Sequence, residues 1–294
     1  MLITLLCVLV GVAYMTLLER KILSYVQGRK GPNKVGFVGL LQPISDAVKL
    51  FLKELALPYT RNVTLFYFLP ALGLIVNLAM WQMLPSWYML NFITLNMVLF
   101  LCLSSISVYI ILGAGWASNS TYAFLGGLRA SAQAISYETS LIFFFLAPMF
   151  FSCSINMSYL LSSYPIAFMM FPLFLMWYVT CLAETNRAPF DFAEGESELV
   201  SGFNIEYGSG LFALLFLGEY TSIMLLSVLT GVCFLSTSNT ASLLFFSLLL
   251  VSSFLFIRGV YPRYRYDMLM MLCWKTFLPM SLAFLSVGVS IFLL

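Results

Sequence analysis

The sequence predicts an all-α, polytopic transmembrane protein of about eight spans, with an amphipathic surface helix after the first. Three observations carry this. The chain is 62% hydrophobic and only 9% charged over 294 residues, and its mean hydropathy of +0.98 excludes a soluble globular domain. Its apolar runs are long enough to cross a hydrocarbon core of about 30 Å. The loops between those runs alternate between charged and uncharged.

The runs cover about 2–18, 63–85, 92–117, 130–153, 159–183, 208–236, 241–257 and 273–294. A single run of this kind fits a buried core helix, but eight in one chain do not. They make one membrane domain, 1–294. The first run has no basic leader and meets no small-residue cleavage site before Glu19-Arg20-Lys21, so it reads as a retained helix and not a signal peptide. No Arg/Ser-rich presequence is seen either. Together with 28 Phe and 16 Met, this points to a protein made inside an organelle from an AT-rich genome.

Residues 19–62 hold eight of the 14 Lys/Arg and form a basic loop followed by a helix. The loop is Gly28-Arg29-Lys30-Gly31-Pro32-Asn33-Lys34-Val35-Gly36. After it, Leu40, Leu41, Ile44, Ala47, Val48, Phe51, Leu52 and Leu55 recur at helical spacing, with Asp46, Lys49, Lys53 and Glu54 opposite. That pattern fits an amphipathic helix at the membrane surface, serving either as a lipid anchor or as the floor of a site at the membrane edge. The loops near 86–91, 154–158 and 237–240 carry no charge, whereas those near 19–62, 118–129, 184–207 and 258–272 carry nearly all of it. The charged loops alternate with the uncharged ones, so they share one face, and their Lys/Arg bias assigns that face to the cytoplasm or mitochondrial matrix.

Histidine is absent, and Cys7, Cys102, Cys153, Cys181, Cys233 and Cys273 stand singly with no Cys-x-x-Cys spacing. Iron–sulfur clusters need clustered thiolates, and haem and zinc sites mostly need His. No Gly-x-Gly-x-x-Gly or Walker A pattern occurs. The expectation is therefore no metal, haem, flavin or iron–sulfur cluster on this chain. Membrane lipid is the expected surroundings, and nucleic acid is not an expected partner.

The acidic loop 184–207 concentrates six of the chain's twelve carboxylates: Glu184, Asp191, Glu194, Glu196, Glu198 and Glu206. Arg187 is the only cation among them. Carboxylates crowded beside low dielectric have coupled titrations and suit proton uptake and release. Two further acids lie deeper. Glu138 is nine residues past Arg129, roughly 13 Å along a helix, and Glu219 lies 13 residues past Glu206 in the sixth run. A carboxylate at such depth costs about 2.5–3.5 kcal/mol on insertion scales, so it faces a polar interior. It serves either proton relay, with Tyr137 and Tyr220 adjoining, or a structural hydrogen bond between helices.

Several motifs resemble one known family. They are Leu18-Glu19-Arg20-Lys21 with Gly28–Gly36, Ala117-Ser118-Asn119-Ser120, Ser136-Tyr137-Glu138, the stretch ETNRAPFDFAEGESELVSGFNIEY at 184–207, and Tyr261-Pro262-Arg263-Tyr264-Arg265-Tyr266-Asp267. Over essentially the whole chain they resemble the subunit 1 family of mitochondrial NADH dehydrogenase, the quinone-site membrane subunits of respiratory complex I. The resemblance implies a multi-pass protein of the mitochondrial inner membrane, with ubiquinone as substrate. Its implied partners are the other complex I subunits: a hydrophilic arm carrying the terminal iron–sulfur cluster, and adjacent small membrane subunits. It also implies that Arg20, Asp46, Ala47 and Phe216 line the quinone path, with Arg29, Arg263 and Arg265 on the arm-facing side. An acidic proton path would comprise Glu138, Glu184, Asp191, Glu194, Glu196, Glu198, Glu206 and Glu219.

Other classes remain open on the residues alone. A lone proton or ion transporter fits the deep acids but predicts inverted repeats, which the two halves do not show. An anchor for a soluble enzyme explains the acidic loop but not Glu138. A membrane subunit of a membrane-bound hydrogenase shares the motifs' ancestry without requiring quinone, and the neighbouring genes discriminate it.

Overall fold

The computed structural model describes residues 2–55, 59, 61–85, 94–161, 164–191, 202–236 and 239–293. The helices among them are α1 (Leu2–Val26), α2 (Gln42–Leu52), α3 (Val63–Trp81), α4 (Asn96–Ala117), α5 (Thr121–Ser152), α6 (Met157–Leu160), α7 (Ile166–Met169), α8 (Phe171–Glu184), α9 (Ser209–Cys233), α10 (Thr240–Val260), α11 (Tyr266–Met271) and α12 (Leu278–Leu293). A π-helix, Leu272–Phe277, joins the last two. Short 3-10 turns lie at Phe37–Gly39 and Gly202–Asn204, and no strand occurs among the described residues. The protein is an all-α, multi-pass membrane protein. By length and composition, seven helices among the described residues are able to cross a bilayer.

Two helices form the middle of the bundle. The most apolar windows of α5 and α9 are 56% and 50% buried, against 22% for α1 and α3. α5 packs on α4, α8 and α12, while α9 packs on α1, α2, α3 and α10. Trp177 fills the core between them, edge-on to Phe145 at 4.7 Å and tilted against Phe234 at 5.2 Å. Gly115 and Gly127 let α4 and α5 touch backbone to backbone, since a Cβ on Gly115 would lie 2.8 Å from the Ala123 carbonyl. Small residues serve this purpose in membrane helix packing, where hydrophobicity does not drive helices together.

Three segments depart from the apolar runs. α1 continues to Val26 and takes Glu19-Arg20-Lys21 into its last turns. It ends where Gly28, at φ 69°, lets Arg29 N–H reach Ser24 O at 2.9 Å and Gly28 N–H reach Tyr25 O at 3.1 Å. That is a Schellman stop, for which glycine is the residue without a steric penalty. α5 starts nine residues before its run, at Thr121. Its 32 residues extend about 48 Å, so the first turns project beyond the hydrocarbon with Arg129.

The fifth run is broken, not one helix. Pro165 precedes α7 and Pro172 occupies the first turn of α8. Proline cannot continue an intrahelical ladder and clashes with the carbonyl four residues back. The 14 residues of α8 reach only about 21 Å. The segment still runs between the two ends of the bundle. At one end, Ala167 N–H donates to Phe234 O and the Ser236 hydroxyl to Tyr164 O, each at 3.0 Å. At the other, the charged loops are tied together: Asn62 N–H to Ala117 O at 3.1 Å, and Tyr264 N–H to Pro189 O at 2.9 Å.

Candidate functional site

Charges that are far apart in sequence converge between α1, α9 and α10. Glu19 is buried on α1. The Tyr220 hydroxyl of α9 donates to its Oε2 at 2.7 Å, and Arg258 of α10 pairs with its Oε1. Arg187 enters from the chain just past α8. Its Nη1 lies 3.9 Å from Glu19 Oε1, its Nη2 lies 3.7 Å from Glu219 Oε2, and its guanidinium carbon sits 4.5 Å over the Tyr220 ring. Two guanidinium groups and two carboxylates thus gather around one tyrosine. Desolvation of this size is tolerable only for charges that are paired.

The backbone that delivers Arg187 is fixed by Gln133. This fully buried α5 side chain donates from Nε2 to both Ala183 O and Phe190 O at 3.0 Å, clamping the segment on either side. Phe190 also packs on Tyr264, with ring centroids 5.6 Å apart. Downstream of the acidic segment, Tyr207 stacks on Phe66 at 4.2 Å and donates to Ala114 O at 3.2 Å. Burial pushes the Tyr207 phenol well above its ordinary range, so it remains a neutral donor.

Beyond Glu219 lies a cavity of about 110 Å³ between α3, α4, α5 and α9. Its polar wall includes Asn77, Ser104, Ser107, Glu184, Thr185, Glu219 and Ser222, and the remainder is largely aliphatic. Each water needs roughly 10–15 Å³ of such space, so several fit, with hydroxyls and carboxylates to bond them. Glu138 of α5 is not among the residues that line this cavity. Ser104, which lines the cavity, donates its hydroxyl to Leu101 O at 2.9 Å. Glu138 Oε1 and Glu184 Oε2 are buried and have no protein hydrogen-bond partner among the described residues. They are oxygens for water or a proton to satisfy.

The residues expected to line a quinone path lie on the other side of Glu19. Arg20 Nη1 pairs with Asp46 Oδ2 at 2.6 Å, and Gln42 donates to Asp46 Oδ1 at 3.1 Å, joining α1 to α2. Ala47 is half-buried on α2. Phe216 stands in an aromatic ladder on α9, with Phe212 at 4.2 Å and Tyr220 at 6.5 Å. The ladder leads from the α2 side to the tyrosine that holds Glu19. The cavity beyond Glu219 is lined by acids and not by this group, whose apolar neighbours Ile44, Val48 and Phe51 are exposed on α2.

The remaining expected residues fall elsewhere. Asp191 pairs with Arg263 at 3.3 Å, tying the segment past α8 to the α10–α11 loop. It does not line the cavity. Glu206 is half-buried next to Tyr207. Arg29 contacts Gln27 at 3.0 Å and Arg265 contacts Asp267 at 3.1 Å, both at the surface. Glu194, Glu196 and Glu198 lie outside the described residues. Glu19, Arg187 and Arg258 were not among the expected site residues, although they hold its centre. Their signal is present in the sequence as opposite charges at the ends of three different apolar runs.

Fold and site together define a multi-pass helical membrane protein with a line of titratable groups running into its bundle. A family model described as NADH dehydrogenase matches residues 1–289, and the chain belongs to that family. A relative from Aedes aegypti, called NADH-ubiquinone oxidoreductase chain 1, is 53% identical over 294 residues, covering 98% of this chain and 94% of its own. One of the same name from Anopheles gambiae is 55% identical over 293 residues, covering 97% and 93%. Another from Balaenoptera physalus is 50% identical over 287 residues, covering 94% and 90%.

Proposed function

We propose that this chain is the quinone-site membrane subunit of NADH:ubiquinone oxidoreductase in the mitochondrial inner membrane, with its charged end toward the matrix. In this reading it admits ubiquinone past Arg20, Asp46, Ala47 and Phe216, and couples quinone reduction to proton movement. Family membership and the names of the relatives support the first half. One observation carries the second. Charged groups run from Arg258 and Glu19 through Arg187 to Glu219, Glu219 and Glu184 line one cavity, and Glu184 Oε2 and Glu138 Oε1 are buried without a protein hydrogen-bond partner among the described residues.

The chemistry divides between this chain and its partners. Reduction of ubiquinone to ubiquinol takes two electrons and two protons. The electrons come from the hydrophilic arm, whose flavin and iron–sulfur clusters belong to other polypeptides. A walled groove with few polar anchors suits an isoprenoid tail. The acids supply protons and carry the resulting charge imbalance onward, Glu194, Glu196, Glu198 and Glu206 among them. Arg29, Arg263 and Arg265 sit on the arm-facing side, where Arg263 and Asp191 brace the segment past α8. Adjacent small membrane subunits receive the charge beyond Glu138.

The test is Glu138→Gln, which keeps shape and most hydrogen bonding but removes the titration. In the assembled enzyme reconstituted in vesicles, NADH:quinone activity and the pH gradient should both fall. Full rates of both would eliminate the relay.

A further inference from the structure

The last span carries a positive charge on its outward side. Lys275 lies in the π-helical turn Leu272–Phe277, inside the span-length segment Tyr266–Ser290. Cys273 and Phe277, on either side of it, face inward to α5. The Cys273 thiol donates to Ser136 O at 2.9 Å, and the Phe277 ring lies 6.5 Å from those of Tyr137 and Phe144. Trp274, Lys275 and Thr276 between them are exposed. The nearest charges in sequence, Arg265 and Asp267, pair with each other at the surface. Lys275 is eight residues beyond Asp267, roughly 12 Å further along the helix. Its neighbours' contacts make it level with the part of α5 that holds Glu138.

No carboxylate of this chain answers that charge. The ion pairs among the described residues engage Arg20, Arg187, Arg258, Arg263 and Arg265, and Lys275 is in none of them. An ammonium at membrane depth is costly, so such groups face a polar interior and pair with an opposite charge. Lys275 faces away from the interior of its own bundle. The π turn that carries it is itself a rare irregularity, of a kind frequent at functional positions. Below it the outward face is made of small residues: Thr276, Ala283, Ser286 and Ser290 are all exposed. Their hydroxyls turn back to their own helix, Thr276 to Leu272 O, Ser286 to Ala283 O at 2.8 Å and Ser290 to Val287 O at 2.7 Å. The result is a shallow track on which a second helix can bring its backbone close.

We propose that this face of the last span docks a transmembrane helix of an adjacent subunit, and that the helix places an Asp or Glu against Lys275. This rests on reading the chain as one subunit of a larger membrane enzyme, and not on the proton relay. The charge and the track select the same occupant. A lipid phosphate is the other anion that a membrane offers, but it stays with the headgroups, back toward Arg265 and Asp267, and a lipid tail has no use for a track of small residues. Pairing across the interface also makes the contact selective. A helix without the acid leaves the ammonium unanswered, and a helix with the acid is itself unanswered elsewhere in the membrane.

The test uses the whole enzyme. A membrane-permeant carbodiimide joins a carboxylate to an amine in contact with it, and mass spectrometry should find Lys275 linked to an Asp or Glu in a membrane span of another subunit. Three variants check the charge. Lys275→Arg keeps it, Lys275→Met leaves the partner acid unpaired, and Lys275→Glu sets a like charge against it. On native gels in mild detergent, the share of enzyme that retains every membrane subunit should stay near the parental value for Arg. It should fall for Met, and at least about tenfold for Glu. Full retention in Lys275→Glu would overturn the proposal. So would equal loss in all three variants, since the position and not its charge would then matter. A complete subunit set in the Met and Glu variants, with bound anionic phospholipid lost, would assign Lys275 to a headgroup and overturn the docking helix. A parental enzyme holding no other membrane subunit would instead overturn the subunit reading itself.

Discussion

Glu19 and Arg20 are neighbours on α1, yet they belong to two different electrostatic worlds. Arg20 makes the shorter contact, 2.6 Å to Asp46, with its side chain half exposed to solvent. Arg187 approaches Glu19 and Glu219 only to 3.9 and 3.7 Å, but its side chain is 8% exposed. The shorter bond is energetically the lesser one. In high dielectric an ion pair contributes about 0–1 kcal/mol, while a buried charge deprived of its partner costs about 3–5 kcal/mol. Distance alone ranks the two sites in the wrong order, and burial corrects it. The exposed pair faces solvent, whereas Glu19, Arg187, Glu219 and Arg258 tie α1, α9, α10 and the segment past α8 together.

The largest effect that would break this comparison comes from truncating each arginine. Arg187→Ala removes the guanidinium that lies between Glu19 and Glu219 in a largely buried setting, and should destabilise the subunit by about 3–5 kcal/mol. Native-gel quantitation of assembled enzyme should show most of it lost. Arg20→Ala should leave assembly near the parental amount, as the exposed pair is worth about 1 kcal/mol or less. Equal losses in both variants would mean that exposure does not separate the two sites.

The aromatic ladder lies between them and sharpens the comparison. Phe216 sits one turn from Phe212 and one from Tyr220, and this ladder reaches the tyrosine that holds Glu19. Phe216→Ala removes an aromatic wall worth about 1.5 kcal/mol. The quinone KM should rise roughly tenfold, while electron transfer from NADH to an artificial acceptor stays normal. A large loss of the artificial-acceptor activity would place Phe216 in assembly instead of the quinone path.

How legible these regions were in the sequence follows the same division. The exposed side could be read directly: α2 shows its face in the spacing of Leu41, Ile44, Val48 and Phe51, because a surface helix keeps its polar and apolar sides apart. Glu138 and Glu219 stood out as isolated charges inside apolar runs. The centre of the buried quartet was not legible. Glu19 lies in a Glu-Arg-Lys triplet that resembles the flank of a span, and its burial depends on a tyrosine 201 positions away. Arg187 looked like a lone cation in an acidic loop until Gln133, 50 and 57 positions from its two acceptors, fixed where that loop turns. The break in the fifth run was written in Pro165 and Pro172, but hydropathy averages over prolines and so reports one span.

The smallest expected effect is also the most discriminating, because it asks whether the exposed pair behaves as an exposed pair. Asp46 accepts from both Arg20 and Gln42. Asp46→Asn keeps the size and one acceptor oxygen but removes the charge, so the quinone KM should change by no more than about fivefold, the equivalent of roughly 1 kcal/mol. Salt supplies an independent check. Raising ionic strength from about 0.1 to 1 M shortens the screening length from about 10 to 3 Å. In the parent enzyme this should reproduce part of the Asp46→Asn effect, and the variant itself should respond less to salt. Glu19 and Arg187, with side chains 7% and 8% exposed, sit out of reach of mobile ions, so the protons moved per NADH should not change over the same range. If salt altered the proton ratio as strongly as the quinone KM, solvent ions would have access to Arg187, and the contrast between the two neighbours on α1 would collapse.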